Sequence, residues 1–161
     1  MQVFIKNKIF SLGGSSSVYG VDKKPVYNVK GKVFSLTSKK RIKDLNGNTL
    51  YTLRNKFFNW FVHKVYIYDA SGKKVAMVKD KMFNFNKQYF VVGYGDEITT
   101  EGKFFSLSMT IFKNGEPIGR ISREITFIAD SFCLEADEKD IPFLIALVIA
   151  IDNIVDKIRK D

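Results

Sequence analysis

Apolar and polar residues alternate along most of this chain, and one stretch of that alternation recurs. Its order is apolar, basic, any residue, Lys, apolar, Phe, then Ser or Asn. It reads IKNKIFS at 5–11, VKGKVFS at 29–35, LRNKFFN at 53–59 and VKDKMFN at 78–84, with starts 24, 24 and 25 residues apart. A fixed period of this size marks copies of one supersecondary unit. Alternation rich in Val, Ile, Tyr, Phe and Thr predicts strands at 26–30, 49–54, 64–69, 74–79, 88–94, 104–112 and 118–124.

Turn signals separate these runs at 46–48 (NGN), 70–72 (ASG) and 114–115 (NG). Asn-Gly between alternating runs predicts a type I′ hairpin, because both central residues need positive φ. Asp44 and Asp69 each precede a turn glycine by three residues, a position from which a short carboxylate reaches the turn backbone. That reading takes them as turn formers rather than metal ligands. Gly47, Gly72 and Gly115 are followed three and six residues on by apolar residues, so each unit is a hairpin whose second strand carries the basic phrase. The first copy opens the chain without a preceding hairpin, and a fifth, decayed copy runs over 121–127. The segment GGSSS at 13–17 reads as a turn.

The last segment differs in kind. Residues 141–151 (IPFLIALVIAI) carry no polar side chain, with Asp140 as N-cap and Pro142 in the first turn of a helix predicted over about 142–160. Eleven residues rise roughly 16 Å, about half of a bilayer's hydrocarbon core. Asp152 and Asp156 cut the run short, so no transmembrane segment is expected. A helix apolar on all sides must instead be enclosed by protein. An eight-stranded barrel is filled by its own side chains, whereas one of about eleven strands can hold a helix. The expectation is therefore a mainly β, closed antiparallel barrel of ten to twelve strands around the C-terminal helix. It forms one domain over 1–161, with strands over about 2–137.

Charge refines this picture. The net charge is +9, but residues 1–81 hold 17 Lys/Arg and 4 Asp/Glu while residues 82–161 hold 9 and 13. Such asymmetry favours association with an anionic partner; it also fits a solvated face that discourages aggregation. One cysteine, Cys133, permits no internal disulfide and suits a reducing compartment, so a cytoplasmic location is expected. Cys133 and the single histidine, His63, make neither a nucleophile dyad nor a zinc set. Adjacent acids at Asp96/Glu97 and Asp137/Glu138 would point apart on strands, and the Gly93–Gly95 pair lacks the third glycine of a phosphate loop. No enzyme activity and no cofactor are expected.

Several phrases resemble the LURP-one-related family: KIFSLG at 8–13, PVYNVKGKVFSL at 25–36, VYIYDASGKKVAMVKDK at 65–81, IGRISRE at 118–124 and DSFCLEADEKDIPFLIALVIAIDNI at 130–154. That family is similar to the Tubby C-terminal domain and to the phospholipid scramblases. The resemblance implies a twelve-stranded barrel around a hydrophobic C-terminal helix, and it implies no activity. No Asp/Asn-rich loop ending in Glu is present to support calcium chemistry.

Strand residues alternate faces, so both basic positions of each phrase share one face, opposite the apolar first position. Four phrases thus set eight cations on the outside, and Lys30, Lys32, Arg54, Lys56, Lys79 and Lys81 are the candidate contacts for lipid head groups. They form a stripe if the four strands are neighbours. The expected partner is an anionic phospholipid or phosphoinositide surface, a class that Tubby domains bind through exposed basic residues. The alternatives are a protein-interaction or stress-response adaptor, with the aromatics at 57–61 as the contact, and nucleic-acid binding, which lacks any motif. The phrase phenylalanines, Phe10, Phe34, Phe58 and Phe83, fall on the basic face unless a bulge turns them inward.

Overall fold

The computed structural model describes residues 1–6, 15–31, 39–56, 63–80, 89–103, 108–127 and 129–158. Among them lie twelve strands: β1 (Gln2–Lys6), β2 (Ser15–Gly20), β3 (Pro25–Gly31), β4 (Lys40–Lys43), β5 (Thr49–Lys56), β6 (Lys64–Asp69), β7 (Lys74–Asp80), β8 (Tyr89–Gly93), β9 (Ile98–Lys103), β10 (Ser108–Lys113), β11 (Glu116–Thr126) and β12 (Ala129–Ala136). One helix, α1 (Ile141–Ile158), follows. The strands form a single antiparallel sheet in the order β8-β7-β6-β5-β4-β3-β2-β1-β12-β11-β10-β9. Strands β8 and β9, at the two ends of that order, are brought together by the turn at 94–97, where Tyr94 N–H donates to the Val75 carbonyl at 2.9 Å. The sheet is a nearly closed barrel.

The local chemistry explains the hairpins. Asn114 and Gly115 have φ of 52° and 83°, the two positive values that the predicted type I′ turn requires. At the β4–β5 and β6–β7 turns the predicted Asp contacts are present. Asp44 accepts from Asn48 N–H at 2.8 Å, and Asp69 accepts from Lys73 N–H at 2.9 Å.

Alternation then builds the core. The first apolar residue of every phrase faces inward and is buried: Ile5, Val29, Leu53 and Val78. They surround α1, of which Leu144 through Ala150 have no exposed surface. Fully burying a large apolar side chain stabilises by about 1.5–3 kcal/mol, so this rod is a major source of the folding free energy. Its first turn lies against β11 at Gly119, where an added Cβ would come within 2.4 Å of Leu144 Cδ1 and 2.9 Å of Glu135 O. Only a residue without a Cβ admits that approach. The Asp140 carbonyl accepts from Leu144 N–H at 3.0 Å, which sets the start of the helix.

One expectation is corrected, and one strand was missed. Ser15–Ser17 belong to β2 rather than to a turn, because their ladder with Lys30, Val29 and Asn28 of β3 outweighs the weak strand preference of serine. Residues 104–107 of the predicted run at 104–112 lie outside the described residues, and its described part, from Ser108, lies in β10. Its partner β9 (Ile98–Lys103, ITTEGK) was not anticipated, having Gly and Glu where apolar alternation would signal a strand. The helix spans Ile141–Ile158, so residues 159–160 of the predicted helix lie outside the described residues.

Antiparallel order gives the barrel two unlike ends. The turns at 21–24, 44–48, 70–73, 94–97, 114–115 and 137–140 all lie at one end, called here the turn end. Strands β1, β3, β5 and β7 all finish at the other, and each finishes within its basic phrase. That is the phrase end, toward which α1 also runs.

Candidate anion-binding surface

The described phrase cations are outward, as alternation predicts. Lys6, Lys30, Arg54 and Lys56 are exposed, Lys79 is half-buried, and Lys32 and Lys81 lie outside the described residues, as do Lys8 and the four phrase phenylalanines. The phrase strands are not neighbours. Each is separated from the next by one strand of opposite direction, because every repeat is a hairpin. Two of the three intervening strands, β4 and β6, contribute cations of their own, whereas β2 contributes none. Arg41 of β4 lies directly opposite Lys30 of β3. Lys64 of β6 lies directly opposite both Lys56 of β5 and Lys79 of β7.

Three lysines therefore share one cross-strand row over β5, β6 and β7, on an outer face whose opposite side carries the buried Leu53, Ile67 and Val78. Directly opposed like charges destabilise a sheet. Among the described residues, none of Lys30, Arg41, Arg54, Lys56 and Lys64 has a carboxylate partner. Elsewhere on the barrel, Arg123 of β11 forms a two-pronged pair with Asp130 of β12, its Nε lying 2.8 Å from Oδ1. That strand holds the decayed fifth copy of the phrase.

Nearer the turn end the same face becomes aromatic. Lys64, Tyr66 and Tyr68 follow one another at every second position of β6 and share the outer face. Arg54 lies over the Tyr68 ring at 5.3 Å, and Lys74 lies over Tyr66 at 4.4 Å and Tyr94 at 5.1 Å. Such contacts are worth about 0.5–1 kcal/mol at exposed sites and hold the cations against the sheet. Arg41, Lys64, Tyr66, Tyr68 and Lys74 did not emerge from the phrase. For three of them the signal was present in KVYIYD, which alternates over 64–69 with polar-tipped residues on one face.

The remaining chemistry-bearing residues have structural surroundings. Cys133 is fully buried on β12, between Phe4 and Ser122 on its neighbours, and its thiol is pushed up to about 11, chiefly by burial. That leaves it a neutral, unreactive thiol at pH 7. Asp96 accepts from Asn114 Nδ2 at 2.9 Å and pairs with Lys113 at 2.9 Å, and these two contacts hold its carboxyl below the ordinary value. Among the described residues, no group of three or more His, Cys, Asp or Glu could hold a metal ion.

Fold and surface together define a helix-filled antiparallel barrel with a cationic outer wall. The sequence model of the LURP-one-related family matches residues 1–152, and the chain belongs to that family. No curated protein matches it. Among solved structures, an X-ray structure of a protein from Arabidopsis thaliana is similar over 95% of this chain and 90% of that one, with a TM-score of 0.63 and 16% identity. That likeness concerns the fold.

Proposed function

We propose that this protein is a non-enzymatic module that docks peripherally on anionic phospholipid surfaces through the outer wall of β3–β7. The observation that carries this reading is the row Lys56–Lys64–Lys79, with the Lys30–Arg41 pair on the same wall nearer the turn end, in register with Thr52 and Tyr68. A sheet that sets cations directly opposite one another, with Arg41, Lys56 and Lys64 unmatched by carboxylates among the described residues, tolerates repulsion that an anionic partner would relieve. Tyr66 and Tyr68 beside that row suit the boundary between head groups and water, since each ring is apolar with a polar tip. Among the described residues, no helix is long and apolar enough to cross a membrane. The single buried cysteine suits docking from a reducing, cytoplasmic side.

Nucleic-acid binding is the weaker reading. Lys74 and Arg54 already lie over the tyrosine rings on which bases would stack. A protein adaptor role through the aromatics at 57–61 concerns residues outside those described.

Vesicle co-sedimentation tests the proposal. Wild type is expected to bind vesicles containing phosphatidylglycerol but not those of phosphatidylcholine alone, and to lose binding as salt rises. Each basic residue near such a surface contributes about 1 kcal/mol, so Arg54→Glu/Lys56→Glu/Lys64→Glu should weaken binding by about 100-fold or more. Undiminished binding by the triple variant, or equal binding to neutral vesicles, refutes the reading. Co-purification of a stable protein partner without vesicle binding would support the adaptor instead.

A further inference from the structure

A groove adjoins the wall at its β3 edge. Strands β1 and β2 are in register at Val3–Gly20 and Phe4–Tyr19, while β2 goes on pairing with β3 as far as Ser15–Lys30. Beyond Phe4 the two strands part, and a groove of about 600 Å³ opens at the phrase end, lined by Lys6, Ser15, Ser16, Ser17, Tyr19, Asn28 and Lys30. This volume lies within the range of small-molecule sites, roughly 300–1,000 Å³. Its composition follows from the sequence. The outward positions of β2 before Tyr19 are the short Ser15 and Ser17, the latter donating to Asn28 Oδ1 at 3.4 Å, whereas Lys6 on β1 and Lys30 on β3 are long and exposed, so two ammonium groups stand on either side of a hydroxyl and amide floor. Ser15 lies opposite Lys30 and Ser17 opposite Asn28, which fixes that floor to the same ladder as the lysine. Tyr19 closes the groove toward the turn end, its ring held edge-on against Phe127 at 6.3 Å. None of the described lining residues is acidic.

We propose that this groove binds a terminal phosphate, a phosphomonoester, with Lys6 and Lys30 as its charge partners and the β2 hydroxyls as its neutral donors. A phosphomonoester carries a charge of about −1.5 to −2 at pH 7 and three acceptor oxygens. Two lysines and several hydroxyls match that demand; a phosphodiester offers one charge and two free oxygens, so it leaves donors unused. The groove opens on the same wall as the Lys30–Arg41 pair. The assignment deepens the membrane reading and rests on it for the lipid as the source of the phosphate. A soluble phosphomonoester presents the same chemistry.

The test compares two vesicle types matched in surface charge, one containing phosphatidic acid and one phosphatidylglycerol. A second arm follows backbone amide shifts on titration with glycerol 3-phosphate. Wild type is expected to prefer phosphatidic acid by about tenfold, as charge-assisted hydrogen bonds to the extra oxygen and charge would give. Lys6→Gln/Lys30→Gln, at two exposed positions, should bring that ratio to near one, and Ser17→Ala should lower it less. Arg54→Glu/Lys56→Glu/Lys64→Glu should weaken both vesicle types and leave the ratio unchanged. If no vesicle is bound but glycerol 3-phosphate shifts the amides of Ser15–Tyr19 in wild type and not in the double variant, the wall reading fails and the groove stands as a site for soluble ligand. A wild-type ratio near one without those shifts overturns the groove and leaves the wall intact. A preference that survives the double variant also overturns it.

Discussion

The two ends of this barrel are made by the same repeat yet treat charge in opposite ways. At the turn end, each hairpin satisfies its carboxylate locally: Asp44 with Asn48, Asp69 with Ser71 and Lys73, Asp96 with Asn114 and Lys113. At the phrase end, Lys56, Lys64 and Lys79 face one another across the ladder. The lumen shows the same division. Near the turn end it is apolar, with Leu144 and Ile145 fully buried; near the phrase end it admits Lys40, whose Nζ donates to Asn153 Oδ1, and the buried Asp152. One end settles its charges within its turns, and the other gathers like charges along the sheet and admits charge into the lumen.

Mutations can break this contrast, beginning with the strongest effect. Leu144→Ala removes a fully buried side chain from the apolar end and should destabilise the protein by about 2–5 kcal/mol in urea unfolding. A cost under about 1 kcal/mol would mean that the helix start is not sealed in the sheet. Lys40→Met at the phrase end takes the donor from Asn153 and should cost about 1–3 kcal/mol by the same measurement. An equal or larger loss than for Leu144→Ala would invert the comparison.

Smaller effects sharpen it. Lys64→Gln removes the middle charge of the row and should raise stability by a few tenths of a kcal/mol at low salt, with the gain fading at high salt. Destabilisation at low salt would show that the row is already neutralised. The last prediction concerns acid. Hydrogen bonds from Asn48, Ser71 and Asn114 are the largest cause lowering the Asp44, Asp69 and Asp96 carboxyls, respectively. A carboxyl lowered by folding stabilises the native state at pH values above its unfolded pKa, near 4. That contribution is lost as pH falls through the folded value. Asp44→Asn/Asp69→Asn should therefore flatten the fall in melting temperature below about pH 4 while changing little at the phrase end. An unchanged acid limb would show that the turn carboxylates are not the groups that couple stability to protons.

Periodicity alone revealed a great deal of this molecule. The hairpin unit was legible because Asn114-Gly115 demands one turn type and because alternation permits only one inward face. The enclosed helix was legible because eleven apolar residues are too few for a bilayer and too many for a surface. The candidate surface was half legible. Lys30, Arg54 and Lys56 were recognisable from the phrase, but Arg41 and Lys64 lie outside it on strands whose partners are set by register. The serine segment was misread because Ser15–Ser17 resemble a loop until β3 is placed beside them.

The amino-acid order by itself determined which residues face inward, where the hairpins turn, that the C-terminal rod must be enclosed, and that the first half of the chain is cationic. Those properties follow from side-chain period, backbone φ and local hydrophobicity, which act over a few residues. Only the tertiary structure decided that the four strands carrying the basic phrases finish at one rim, that Arg41 and Lys64 stand in two of the three gaps between them, and that β1 and β2 part to leave a groove between Lys6 and Lys30. These depend on strand direction and register, which hydrogen bonding between distant segments sets and no local pattern encodes.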